Sequence, residues 1–133
     1  MNGYVANIEQ MTEANQDFRR VIYTGQHLQL VLMSLSPGQE IGSETHPSHD
    51  QFFGIEKGSA TVVIDGVTSK VRAGHCVIVP AGAVHNVIND GTDPLRLYTL
   101  YGPAHHSDRL VQATKAEAEA DAAHETPEGA IPH

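Results

Sequence analysis

The chain has no tryptophan, a single cysteine and half as many basic as acidic residues. Each shortage excludes something. Without tryptophan, and with aromatics at only 5% of the residues, a core must be built from valine, isoleucine and leucine. The hydrophobic share of 40% is enough for one such core. One cysteine, Cys76, cannot form an internal disulfide and fits a reducing compartment. Eight basic against 16 acidic residues leave a formal charge of −8 with no basic cluster, so the charges that neutralise nucleic-acid phosphates are missing and no nucleic-acid partner is expected. No apolar run approaches membrane-spanning length, so no membrane partner is expected either. The first 18 residues carry neither a basic n-region nor an apolar stretch, so no signal peptide is expected there and a cytoplasmic location is the expectation.

What is present suits one domain of 133 residues. From Arg19 to Tyr101 short apolar segments alternate with turn signals. RRVIYT (19–24) and HLQLVLMSL (27–35) precede the turn Ser36-Pro37-Gly38, in which proline presets φ and glycine takes a positive one. QFFGIEKG (51–58) leads into SATVVIDG (59–66), and Asp65-Gly66 is a strong hairpin signal. VTSKVRAG (67–74) alternates, while HCVIVP (75–80) is a continuous apolar run that suits a fully buried strand. After Pro80-Ala81-Gly82 come VHNVIN (84–89), the turn Asp90-Gly91 and LRLYTLY (95–101). About eight short strands with no helix between them predict an all-β, antiparallel sandwich or barrel. Residues 1–18 are mixed and polar and give no assignment. The expected division is a barrel over 1–107 and an acidic C-terminal helix or tail over 108–133. That second segment carries a net −4 and an AEAEADAA stretch that favours helix, with almost no apolar stripe, ending near Thr126-Pro127.

Nine histidines invite a metal argument, which only position can support. Glu44 and His46 are two residues apart, so on extended chain both point to one face. Gln51 opens the next strand, and His85 follows the tight turn at Pro80-Ala81-Gly82. Imidazole nitrogens combined with carboxylate or amide oxygens suit divalent Mn, Fe, Ni or Zn.

These residues sit inside two spaced motifs. Gly38, five residues, Glu44-Thr45-His46, four residues, Gln51, six residues and Gly58 form the first; Gly74, Pro80, Gly82, His85 and Asn89 form the second. Together they resemble the cupin superfamily over most of residues 20–101. The first motif departs from the usual pattern twice, with Glu44 in place of the first histidine and Gln51 in place of the glutamate. The second motif matches throughout. The resemblance implies a single-domain cupin: an antiparallel β-barrel or jelly roll with a short C-terminal helix or arm. It also implies one divalent transition metal held by Glu44, His46, Gln51 and His85. Some cupins carry glutamine at the Gln51 position, including those resembling enzymes that linearise unsaturated uronates. Single-domain cupins resemble one another in pairing as homodimers, often by exchanging N-terminal strands, which assigns that role to residues 1–24.

For function, the resemblance implies first a metal-dependent enzyme of isomerase or lyase type. Its substrate would be a small oxygenated molecule such as a sugar or sugar acid. Glu44 is the catalytic candidate, either as a ligand or as a proton carrier. Gln51 in place of a carboxylate leaves the ion more positive, which suits Lewis-acid chemistry. The alternatives are an iron or manganese dioxygenase, and a non-catalytic module that binds a small ligand or metal. His49 and Asp50 are expected at the surface or the pocket rim, with support of a ligand histidine as the second reading of each. His75 is read as a turn residue, Cys76 as core, His105-His106 as a surface pair with contact at the pocket rim as the alternative, and His27 as outward-facing. Tyr98 and Tyr101 fall on opposite faces of one strand, so at most one points inward. Arg20, Arg72 and Arg96 are the strand-borne cations with the geometry to clamp a carboxylate.

Overall fold

The computed structural model of the chain describes residues 2–122. Alternation of inward and outward side chains organises it. In β8 (Leu95–Gly102) Leu95, Leu97, Thr99 and Tyr101 are buried, and the residues between them are only partly covered. Residues two apart in a strand share a face, so this pattern turns one side of the strand to the core. The same logic holds for Val31, Met33 and Leu35 of β2 (Gln29–Leu35). It holds again for Gln51, Phe53 and Ile55 of β3 (Asp50–Lys57).

These strands assemble into a six-stranded sheet in the order β6-β3-β8-β2-β1-β9, with β1 at Arg19–Thr24, β6 at Cys76–Val79 and β9 at Val111–Gln112. A second sheet has the order β5-β4-β7, built from β4 (Ser59–Ile64), β5 (Val67–Arg72) and β7 (His85–Ile88). Every pairing is antiparallel, and the two sheets enclose one core, as a jelly roll does. The core is made chiefly of valine, leucine and isoleucine, with Phe18, Phe53 and Tyr101 as its aromatic members. Asp65 and Gly66 both take positive φ between the paired residues Ile64 and Val67, which gives the two-residue hairpin that the dipeptide encodes.

The second sheet has an additional, irregular edge that matters for the site. Residues 38–44 run along β7 through backbone hydrogen bonds from Gly38 to Asn89 (2.8 Å), from Ile41 to Val87 (2.9 Å) and in both directions between Glu44 and His85 (2.9 Å each). Asn89, fully buried, donates to the carbonyls of Leu35 (2.9 Å) and Asp93 (3.0 Å), so this motif asparagine is a staple between loops. Gly58 has φ +88°, and a Cβ there would meet the Pro94 carbonyl oxygen at 2.7 Å; no side chain fits at this corner.

Three features depart from what the sequence suggests. A short helix, α1 (Ile8–Ala14), occupies the unassigned N-terminal stretch; the Asn7 side chain caps it by accepting from the Gln10 N–H (3.0 Å). Only Thr12 of this helix is buried, which explains why no apolar stripe marks it. HCVIVP is not a fully buried strand. β6 is an edge strand whose outer face is uncovered, so Val77 and Val79 are buried whereas Cys76 and Ile78 are exposed. Cys76 is therefore not a core residue. Beyond residue 107 the chain still belongs to the main sheet, because β9 pairs with β1. The C-terminal helix α2 (Lys115–Ala122) follows, solvated along its length apart from Ala118. Its expected end near Thr126-Pro127 lies outside the described residues.

Candidate metal centre

The backbone bridge between Glu44 and His85 puts the two residues directly opposite each other, and both side chains turn into the barrel. His46, two residues on, turns the same way: its Nε2–H donates to Glu44 Oε2 at 3.0 Å. One ligand atom from each of Glu44, His46 and His85 lies within 4.8 Å of the others. His46 and His85 are almost wholly buried, whereas the Glu44 side chain keeps 27% of its surface exposed and stands at the mouth. Burial by itself would raise the Glu44 carboxyl. The hydrogen bond and charge of His46, joined by the charges of Arg19 and His85, hold it below the ordinary carboxylate value.

Gln51 reaches the same point from the opposite sheet. Its register partners are Tyr101 and Val79, and its Nε2–H donates to Thr99 Oγ1 at 2.9 Å. That bond turns Oε1 towards His85, where it stands 3.1 Å from Nε2. The other ring nitrogen of His85 lies 3.1 Å from the Ala83 carbonyl, to which it donates, so Nε2 is the ring atom that faces the site. His85 and Gln51 thus bring a ring nitrogen and an amide oxygen to one buried point, where both can turn to a cation once that nitrogen carries no proton. Fixing the remote nitrogen on a backbone carbonyl is also how metal-ligating histidines are held. Two imidazoles, one carboxylate and one amide oxygen therefore fit a borderline divalent ion.

Around this cluster the structure gathers further rings. The His46 ring centroid lies 4.3 Å from that of His105, 5.3 Å from His85, 5.7 Å from Tyr101 and 6.0 Å from His49. His105 and His106 are not a surface pair. After β8 the chain turns back over the barrel mouth, and Gln29 Oε1 accepts from the backbone N–H groups of both residues (3.0 and 2.9 Å). His106 is buried, with its Nε2 3.2 Å from the Tyr101 hydroxyl. Burial lowers the His105 pKa to about 4 and holds His106 well below its ordinary value. Burial likewise pushes the Tyr101 phenol up, so it stays protonated. His49 takes the rim place among its expected ones and is buried there: its Nε2–H donates to the Ala104 carbonyl (3.0 Å), while Nδ1 has no hydrogen-bond partner among the described residues.

The remaining residues separate cleanly. Asp50 does not orient a ligand; its carboxylate accepts from the Ala81 N–H at 2.9 Å and ties the start of β3 to the turn before His85. His75 is an exposed turn residue, His27 is exposed, and of the two tyrosines Tyr101 is the inward one. Arg20 and Arg72 are exposed, and Arg96 points away to the Glu13 carbonyl. The buried cation is the neighbouring Arg19, which shares the inner face of β1 with Val21. Alternation alone could have shown this, since Arg19 and Val21 are two apart.

A family model for the cupin domain matches residues 31–101. The chain is 42% identical over 121 residues to an uncharacterized protein of Bacillus subtilis, YrkC, covering 86% of this chain and 65% of that protein. It is 31% identical over 83 residues to a protein of Ruegeria pomeroyi named dimethylsulfoniopropionate lyase DddW, covering 62% of this chain and 52% of that protein. The chain thus spans about two thirds of the first relative's length and half of the second's. Among solved structures, BH2720 of Bacillus halodurans superposes with a TM-score of 0.88 at 41% identity, covering 90% of this chain and 95% of that one.

Proposed function

This chain belongs to the cupin family, and from that premise we propose that it is a divalent-metal-dependent enzyme of lyase or isomerase type acting on a small oxygenated molecule. The observation that carries the proposal is the convergence of His46, His85, Glu44 and Gln51 from two sheets, with Gln51 Oε1 standing 3.1 Å from His85 Nε2. A divalent ion bound by these residues supplies Lewis acidity towards a substrate oxygen. The lyase named among the relatives supports the reaction type.

The chain's own residues supply the rest. Glu44 is ionised, lies at the mouth and is the most open of the four donors, so it is the group placed to take a proton from a substrate carbon. The rings of His46, His49, His105 and Tyr101 wall the mouth and keep water from the reacting centre. Ala83 and Thr99 hold His85 and Gln51 in orientation. Elemental analysis of the purified protein tests the proposal, together with His46→Ala, His85→Ala and Glu44→Gln. Near-stoichiometric transition metal that is lost in both histidine variants is the expected result; absence of metal after reconstitution refutes it. For Glu44→Gln, retained metal with lost turnover assigns the proton-carrying role, and lost metal assigns ligation.

A further inference from the structure

His49 stands at the barrel mouth with 7% of its surface exposed, in edge-to-face contact with the rings of His46 (6.0 Å between centroids) and His105 (5.3 Å). The chain fixes this ring by one nitrogen only. Its Nε2 lies 3.0 Å from the Ala104 carbonyl, and since a carbonyl only accepts, that nitrogen carries the proton. A neutral imidazole with its proton on Nε2 has a lone pair on Nδ1, so His49 Nδ1 is an acceptor. Among the described residues it finds no donor, although it is sealed from solvent. The neighbouring ring of His105, 4.3 Å from that of His46, also has a buried Nδ1 without a partner.

Buried polar groups in folded proteins are almost always paired, because a group that gives up water without gaining a partner costs free energy. Two such groups in adjacent rings, both packed on the candidate ligand His46, mark a place where a bound molecule completes the pairing. The ion itself does not fill it. Among the described histidines, cysteines and carboxylates only Glu44, His46 and His85 bring ligand atoms within 4.8 Å of one another, and His49 stands outside that group. The lone pair of His49 therefore serves a molecule lying beside the ion, at the mouth where Glu44 keeps 27% of its side chain exposed.

We propose that His49 binds the substrate by accepting a hydrogen bond from one of its hydroxyl groups, so that the molecule acted on is a hydroxylated carbonyl compound or a hydroxy acid. The inference rests on the metal-centred reading above and narrows its substrate class. A lone pair on nitrogen needs a donor, and a hydroxyl is the donor that a small oxygenated molecule offers; a carboxylate, a carbonyl or an ether offers none. A site that pairs a substrate hydroxyl also rejects the analogue lacking it, because the buried group of the protein is then left unpaired. His105, in ring contact with His49, gives the mouth a second unpaired nitrogen for the same molecule. His49 is a binding residue, and proton transfer stays with Glu44.

The test uses the full chain, labelled with 15N-histidine and loaded with Zn²⁺, at neutral pH. Long-range 1H–15N spectra show which nitrogen of each ring carries the proton, and the His49 signals are identified by their loss in His49→Phe. The expected spectrum has the His49 proton on Nε2. Its bare Nδ1 should shift saturably with glycolate or glycerate and not with acetate or propionate, which lack the hydroxyl. In calorimetry the preference for glycolate over acetate should fall about tenfold in His49→Phe, as for one hydrogen bond left unmade, and recover in part in His49→Asn. Chelation of Zn²⁺ by glycolate is common to wild type and variants and cancels in this comparison. A proton on Nδ1, an Nδ1 signal that ignores both hydroxy acids or follows acetate equally, or a preference unchanged in His49→Phe overturns the proposal. Should His49→Phe fail to fold, His49→Asn serves for the assignment and the wild-type titration decides. A protein that takes up no Zn²⁺ while His49 Nδ1 still answers glycolate refutes the metal reading alone. A Zn²⁺-loaded protein whose His49 ignores both hydroxy acids refutes this one alone.

Discussion

Replacing Gln51 with leucine separates the metal site from the packing around it. In the metal-free protein Gln51→Leu removes the donor to Thr99 Oγ1 and leaves that hydroxyl buried, which costs about 1–3 kcal/mol. It also removes the Oε1 partner of His85 Nε2 at 3.1 Å, which adds to the loss. With metal, the variant loses one ligand as well. An ion present at 100 times its dissociation constant stabilises the folded state by about 2.7 kcal/mol. An unfolding entropy of about 2.1 cal/mol/K per residue, over 133 residues, converts this to a rise of about 10 °C in Tm. A tenfold loss of affinity removes about 1.4 kcal/mol, or about 5 °C of that rise on the same conversion. Differential scanning calorimetry of both proteins, with chelator and with Mn²⁺, gives the four melting temperatures. Packing costs cancel in the loaded-minus-free difference, so only ligation is left in it. Equal differences for wild type and Gln51→Leu would show that Gln51 is no ligand. No rise in the wild type would refute the donor-set argument itself.

Gly58→Ala is expected to destabilise by about 2–5 kcal/mol, combining the cost of a left-handed backbone with a Cβ pressed to 2.7 Å from the Pro94 carbonyl oxygen. Gly38→Ala, at φ +86° with open space around it, should cost only about 1–2 kcal/mol; urea melts of the two variants check the contrast. Acid should also weaken the metal-free fold. His105 titrates near 4 when folded and near 6.5 when unfolded, so the unfolded chain binds more protons between those values and stability falls as pH drops through the window. The expected slope is about 1.4 kcal/mol per pH unit for His105, with His106 adding in the same direction. Urea melts from pH 7 to 4 should show this, and a slope unchanged in His105→Gln would contradict it.

Alternation and turn chemistry are local properties, and they were legible. Leu95, Leu97, Thr99 and Tyr101 declared an inner face by period alone, and Asp65-Gly66 declared its hairpin. The spaced glycines, Pro80 and Asn89 carried the fold because each meets a backbone requirement that few other residues satisfy. The candidate ligands were legible for a related reason: two-residue spacing put Glu44 and His46 on one face. What the sequence could not carry was depth. Cys76 and Val77 are neighbours in an apolar run and point to opposite faces of β6, and only the packing of the two sheets covers one face and leaves the other uncovered. His105 and His106 follow a Gly-Pro turn with no periodic pattern, so their closure over His46 depends on Gln29, 76 residues away in sequence. Arg19 and Arg20 are adjacent and identical in type, and there alternation with Val21 does separate the buried one from the exposed one. By itself the sequence determined the strands between residues 19 and 101, the faces of those that alternate and the residues with capacity to bind metal, because these follow from neighbours along the chain. Only the tertiary structure decided which polar groups are cut off from water, because burial is set by chain segments that come together from far apart.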